Sequence, residues 1–197
     1  MESEMTDIIF DIKGDFVPLG YPFLLWNEIE KTLPWLSGEA HAGILPLKGA
    51  ASDAGMLLPK RTKLAIRIPE RFEKETMPLS GKRLDIAGHV LEVGQGRKRP
   101  IAAYPTLKAH IVESEMDEAA FLKDVEQELG KLGIAGKWIC GKRQSLKHGD
   151  EAISGYGLVV HDLKPEASIR LQQIGLGKFR RFGCGIFVPH KTIAGLD

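Results

Sequence analysis

Hydrophobic and polar residues alternate in several short runs along the chain. In DIIFDIKG (7–14), Ile8, Phe10 and Ile12 fall on one face, with Asp7, Asp11 and Lys13 on the other. That period of two predicts a half-buried strand. PFLLWNEIEKTL follows, with Phe23, Trp26, Ile29 and Leu33 at helical spacing and Pro22 at the start, where proline suits the first turn. GILPL (43–47) predicts a short strand interrupted at Pro46, and LAIRIP (64–69) alternates again. ERFEKE (70–75) predicts a short helix, and LDIAGHVLEV (84–93) a strand, a turn and a strand. GQGRKRP (94–100), with two glycines, three cations and a proline, is the expected domain boundary.

The second half repeats the order. IAAYPTLKAHIV (101–112) is strand-like. SEMDEAAFLKDVEQELGKLG (114–133) predicts a helix, with a capping box beginning at Ser114 and a stripe of Leu122, Val125, Leu129 and Leu132. GKWICG (136–141) and ISGYGLVVHDL (153–163) predict strands. PEASIRLQQIG (165–175) predicts a helix with Pro165 at its start and Gly175 past its end, and CGIFVP (184–189) a last strand. Each half therefore reads β-α-β-β-α-β, the ferredoxin-like unit. The expected class is α+β: two tandem ferredoxin-like (βαββαβ) domains with a C-terminal glycine-rich loop, at 1–96 and 101–197, joined by a linker at 97–100.

The 197 residues are enough to bury a core, and 43% apolar with 27% charged residues is ordinary for a globular protein. A net charge of +1 means that any anion-binding surface must arise from local clustering. Cys140 and Cys184 form no CxxC pair, which excludes a zinc ribbon and favours reduced thiols in a cytoplasmic setting. No signal peptide or apolar transmembrane run is read from the sequence, so no membrane partner is expected.

The densest local chemistry lies in GLGKFRRFGCGIFVPHK (175–191). It carries Gly175, Gly177, Gly183 and Gly185 beside Lys178, Arg180, Arg181, His190 and Lys191. The glycines have a purely structural reading, as a helix cap and strand bulges. They also suit backbone amides that close on a phosphate, with the cations adding charge. Phe179 and Phe182 either pack inward or stack on bases. The stretch lacks G-x-G-x-x-G and runs from helix towards strand, which excludes a Rossmann turn, and no P-loop motif occurs. No metal-ligand spacing is found, and no cofactor is expected.

SIRLQQIGLGKFRRFGCGIFVPHK resembles the C-terminal signature of the RAMP superfamily of CRISPR-associated proteins. With LPWLSG (33–38), GILPLKGA (43–50), RTKLAIRIP (61–69), LSGKRLDIAGHVLEVG (79–94), YPTLKAHIV (104–112), ICGKRQ (139–144) and SGYGLVVHDL (154–163), the likeness spans nearly the whole chain. It is similar to the repeat-RNA endoribonucleases of the Cas-six type, Myxan subtype. The resemblance implies two ferredoxin-like domains and a CRISPR repeat RNA as partner. It also implies metal-independent attack of a ribose 2′-OH on the adjacent phosphate, leaving a 2′,3′-cyclic phosphate and a 5′-OH. Members of the family often keep the product and join other subunits of an interference complex.

Relatives in that family carry an Asp-His-Gly-Tyr-like segment before the first helix, where this chain has VPLGYPFLLW. Ungapped alignment sets Gly20 and Tyr21 in place of the Asp-His pair. Two candidate catalytic residues remain: Tyr21, provided that cations lower its pKa, and His41 in the GEAHAG loop. The other histidines read as structural or loop residues: His89 in a turn, His110 and His161 in strands, His148 in a loop, His190 beside the glycine-rich stretch. The expected RNA contacts are Lys142 and Arg143 after a strand end, the linker triplet Arg97, Lys98 and Arg99, and Gly175, Gly177, Lys178, Arg180, Arg181, Gly183 and Lys191. The clusters around Arg143 and Arg181 are expected to line one cleft. A rival reading is a weak or inactive RNA-binding subunit that holds the guide-RNA repeat in an effector complex. A third, a ferredoxin-like small-molecule enzyme, is disfavoured by the cation-rich loop.

Overall fold

The computed structural model describes residues 4–191. The chain divides into two compact units. The first runs to Pro100 and takes in Leu146–Ala152 and Arg180–Gly183; the second holds Ile101–Ser145, Ile153–Phe179 and the chain from Cys184.

The first unit contains β1 (Met5–Lys13), β2 (Phe16–Pro18), α1 (Tyr21–Thr32), β3 (Gly43–Ile44), β4 (Ala50–Ala51), β5 (Gly55–Leu57), β6 (Lys63–Pro69), α2 (Glu73–Thr76), β7 (Arg83–Ile86) and β8 (His89–Pro100). Its main sheet has the order β3-β6-β1-β8-β7. With β7 set aside, this is the ferredoxin-like order, and β7 adds an antiparallel edge against β8. Strands β2, β5 and β4 form a small separate sheet. As β1 is flanked by β6 and β8, most of it is buried on both faces. The alternation of Ile8, Phe10 and Ile12 marks one face correctly. On the other, Ile9 and Asp7 are buried as well, which a simple polar face would not predict.

Asp7 is tolerated there because it is fully engaged. It accepts from Arg67 Nε at 2.7 Å and Nη2 at 3.1 Å, and from Arg99 Nη2 at 3.0 Å. Burying a carboxylate without such partners would cost several kcal/mol.

The expected linker at 97–100 is instead the end of β8, and Arg97, Lys98, Arg99 and Pro100 pair with Ile9, Ile8, Asp7 and Thr6 of β1. β7 pairs only with residues 89–92, so this half of β8 has a strand on one side. That position accommodates cations and a terminal proline.

The second unit contains β9 (Leu107–Glu113), α3 (Glu118–Lys131), most of β10 (Lys137–His148) and β11 (Glu151–His161), whose hairpin tip from Leu146 to Ala152 belongs to the first unit, α4 (Pro165–Ile174) and β12 (Phe187–Pro189). Its order β10-β11-β9-β12 is the ferredoxin-like arrangement. Phe121, Val125 and Leu129 of α3 pack with Leu107, Leu158, Val160 and Phe187 in one core. The cap of α3 is Asp117, whose side chain accepts from the Ala120 amide at 2.9 Å, rather than Ser114. Ser114 Oγ accepts from Met116 N just upstream. β10 extends through GKRQSLKH, so Lys142 and Arg143 lie within a strand and not after its end.

Candidate functional site

The glycine-rich segment closes on itself at its base. Leu176 N donates to Gly185 O at 3.1 Å, and Gly185 N donates to Ile111 O of β9 at 2.7 Å. Gly185 has φ +67°, and a Cβ there would lie 1.8 Å from Leu176 O, so no other residue fits. Gly175, Gly183 and Gly185 are buried; of the glycines expected to meet RNA, Gly177 alone is exposed, beside exposed Lys178. The amides of Gly177 and Lys178 make no backbone hydrogen bond among the described residues. The solvent-facing crest is thus two residues long, and the remaining glycines serve its closure.

The expected cations separate into two groups. Lys178, Arg181, Lys191 and Lys142 are exposed. Arg180 is 6% exposed and donates from Nε to the His41 carbonyl at 3.0 Å. Burial, reinforced by the neighbouring Arg67 charge, pushes its pKa down to about 10. It is a brace inside the first unit, which corrects its expected role as a phosphate contact.

Arg143 is similarly committed. It donates to Met116 O at 2.9 Å, the Tyr156 hydroxyl at 3.0 Å and Ser114 O at 3.2 Å, and its guanidinium covers the Tyr156 ring. These bonds pin the approach to α3, and an RNA phosphate would have to compete with them. The β8 triplet faces carboxylates: Arg97 meets Asp11, Lys98 meets Glu70 and Glu73, and Arg99 meets Asp7. Its local charge is therefore largely balanced.

Both candidate acid–base residues lie in the first unit, Tyr21 at the start of α1 and His41 in the loop after that helix. The Tyr21 hydroxyl accepts from Leu47 N at 2.9 Å. Burial pushes its pKa up to about 12, against the small opposing effect of that bond. The condition set for Tyr21, a pKa lowered by cations, is not met, because its surroundings withhold solvent instead of supplying positive charge. His41 is exposed, with its amide donating to Glu39 Oε1 at 3.1 Å and its carbonyl held by Arg180.

Two further segments meet α1 there. His148, at the tip of the β10–β11 hairpin, stacks on Phe23 with centroids 6.2 Å apart and planes at 25°. Phe23 contacts Phe182 at 4.5 Å, and the Arg181 guanidinium lies 4.7 Å above the Phe182 ring. Sequence reading left His148 in a loop. No spacing signals this contact, because glycine at position 20 already follows from the left-handed φ of +75° before the helix. Among the described residues, no group of three or more His, Cys, Asp and Glu side chains is placed to hold a metal ion. Among the described residues, no helix is long and apolar enough to cross a membrane.

A family model described as Cas6 Crispr matches residues 6–192. Over 186 residues, the chain is 31% identical to the CRISPR-associated endonuclease Cas6 of Myxococcus xanthus (strain DK1622), covering 93% of this chain and 81% of that relative. The chain belongs to the Cas6 family. Solved structures share the fold. A Cas6-related protein from Pyrococcus furiosus has a TM-score of 0.66 at 12% identity, covering 93% of this chain and 98% of that one. Thermus thermophilus Cse3, bound to an RNA representing a pre-cleavage complex, has a TM-score of 0.56 at 13% identity, covering 94% and 98%. Against this Cas6 background, the tandem ferredoxin-like expectation holds: both sheets carry the required strand order.

Proposed function

We propose that this protein is an endoribonuclease that binds CRISPR repeat RNA and cuts the precursor transcript into guide RNAs without a metal ion. The observation that carries the reading is the likeness to the Myxococcus xanthus endonuclease along nearly the whole chain. The exposed Gly177–Lys178 crest supports it chemically. Two amides that make no backbone hydrogen bond among the described residues, and an ammonium, are suited to a phosphate oxygen, and such groups bind a ribose-phosphate strand whatever its sequence. Arg181, Lys191 and Lys142 are the remaining phosphate contacts in this reading.

Cleavage proceeds by attack of a ribose 2′-OH on its own 3′-phosphate. The 2′-oxygen loses a proton as it bonds to phosphorus, negative charge builds on the non-bridging oxygens, and the 5′-oxygen departs and gains a proton. Products are a 2′,3′-cyclic phosphate and a 5′-OH. Fixed donors on the developing charge contribute about 10²–10³ in rate each, and a positioned acid or base about 10²–10⁴. With Tyr21 protonated well beyond neutral pH, the exposed histidines of the first unit are the available bases.

The test is incubation with the repeat RNA of its own locus in EDTA, and again with a 2′-deoxy sugar at the scissile position. Cutting that survives chelation and stops with the deoxy sugar is expected. Tight binding with no cutting would favour the rival reading, a subunit that only holds the repeat, for which the neutral, hydrogen-bonded Tyr21 speaks. Absence of binding at low salt would overturn both.

A further inference from the structure

We propose that His148 is the general base of the cleavage reaction, delivered to the start of α1 by the tip of the β10–β11 hairpin. The proposal rests on the reading that the protein cuts RNA through a 2′-OH.

The placement is tight. Gly20, which caps α1, has φ +75°, and a Cβ on it would lie 2.4 Å from Lys147 O and 3.1 Å from His148 Cβ. No side chain fits between hairpin and helix, so the tip is held at close range. The imidazole then rests on Phe23 and remains exposed. Phe23 leads through Phe182 to the Arg181 guanidinium, also exposed. One run of rings, all within the first unit, thereby carries a proton acceptor at one end and a fixed cation at the other. Transfer of a proton next to a phosphate that gains negative charge requires that combination.

Other histidines are less well placed. His41, also exposed in the first unit, has no ring contact that fixes its side chain among the described residues; the bonds at that residue are to its backbone. His89 meets Phe16 edge-on, and His161 lies 3.6 Å from the Asp162 carboxylate. Lys147, Asp150 and Glu151 flank His148 on the hairpin; on the facing elements Tyr21 turns its hydroxyl to Leu47 and Arg181 lies over Phe182.

The step is as follows. Neutral His148 removes the proton from the 2′-OH, and the oxygen's electron pair forms the P–O2′ bond. The P–O5′ bond breaks, its pair stays on the 5′-oxygen, and that oxygen takes a proton from water. The imidazolium then returns its proton to solvent, which restores the enzyme.

Single-turnover cleavage by the full chain, in EDTA, with His148→Ala and His148→Gln tests the idea. A loss of about 10²–10⁴-fold is expected in both, with affinity for the 2′-deoxy RNA within about twofold of the parent. Added imidazole should partly restore cleavage by His148→Ala. His161→Ala, in the second unit, should cleave normally. If the parent cuts and both His148 variants cut at similar rates, the assignment fails while the endonuclease reading stands. If affinity falls together with rate, the hairpin tip is a binding or structural element and the assignment again fails. A parent that leaves the RNA intact overturns both.

Discussion

Arg180 donates its Nε to the backbone carbonyl of His41 at 3.0 Å, joining the glycine-rich segment to the loop after α1. Its neighbour Arg181 is exposed and rests on the Phe182 ring. Adjacent arginines therefore do opposite work. Arg180→Ala removes a buried charged donor and leaves a carbonyl unpaired, a loss of about 2 kcal/mol and a fall in Tm of about 5 °C. Arg181→Ala should change stability by less than about 0.5 kcal/mol. It should instead weaken RNA binding and reduce the slope of log affinity against log salt by about one. Thermal unfolding and binding titrations at several salt concentrations separate the two. An unchanged slope in Arg181→Ala would remove it from the phosphate contacts.

Asp7 offers a second test, because a single carboxylate serves both Arg67 and Arg99. Asp7→Ala removes the carboxylate that the buried Arg67 shares with Arg99, a loss of about 3–5 kcal/mol. The double variant Asp7→Ala/Arg67→Met should be more stable than Asp7→Ala alone, since the buried guanidinium is replaced by an apolar side chain. Denaturant melts of the parent, Asp7→Ala, Arg67→Met and the double variant give the coupling directly. Additive losses would mean that the pair does not act as a unit.

Much of the fold was legible because it rests on local periodicity. Alternation in β1 and β6, and the stripe of α3, mark faces that do become buried. The errors share a physical cause: the partner lies far away in sequence. Arg97, Lys98 and Arg99 read as RNA-contacting linker cations because nothing nearby indicates that β1 and Glu70 face them. Arg180 reads as a surface cation because its acceptor, His41, is 139 positions upstream. Pro22 marks the start of α1 in the sequence, yet the sign of the Tyr21 pKa shift follows from burial, which spacing does not reveal. The contact of His148 with Phe23 lies between segments 125 positions apart and leaves no local signal.

Gly185→Ala addresses the closure of the glycine-rich segment. Its Cβ would collide with Leu176 O at 1.8 Å, and its backbone sits in the left-handed region. The base of the loop must open, breaking the bonds to Leu176 and Ile111. A destabilisation above about 4 kcal/mol, or loss of folded protein on expression, is expected. Gly38→Ala meets nothing within 4 Å and provides the control, with an effect below about 0.5 kcal/mol. Equal behaviour of the two variants would contradict the geometry at Gly185.

The Tyr21 hydroxyl gives a pH prediction whose sign is fixed. Burial raises its pKa from 10.0 to about 12 in the folded chain, so the folded state holds that proton more tightly than the unfolded state. Its contribution to stability is complete below pH 10, falls as the pH rises above 10, and is gone once the folded group itself ionises near 12. Arg180 and Cys184 also titrate at high pH, with pKa values moved to about 10 and about 12 by burial, so the difference from Tyr21→Phe is the informative quantity. Urea melts of parent and variant between pH 8 and 12 should show the parent losing more stability above about pH 10. Tyr21→Phe also deprives Leu47 N of its acceptor, which lowers stability at every pH by about 1 kcal/mol and leaves the slope as the diagnostic. Parallel curves would show that the hydroxyl ionises as readily in the folded protein as in the unfolded one. That would reopen the case for Tyr21 as the proton-transfer group.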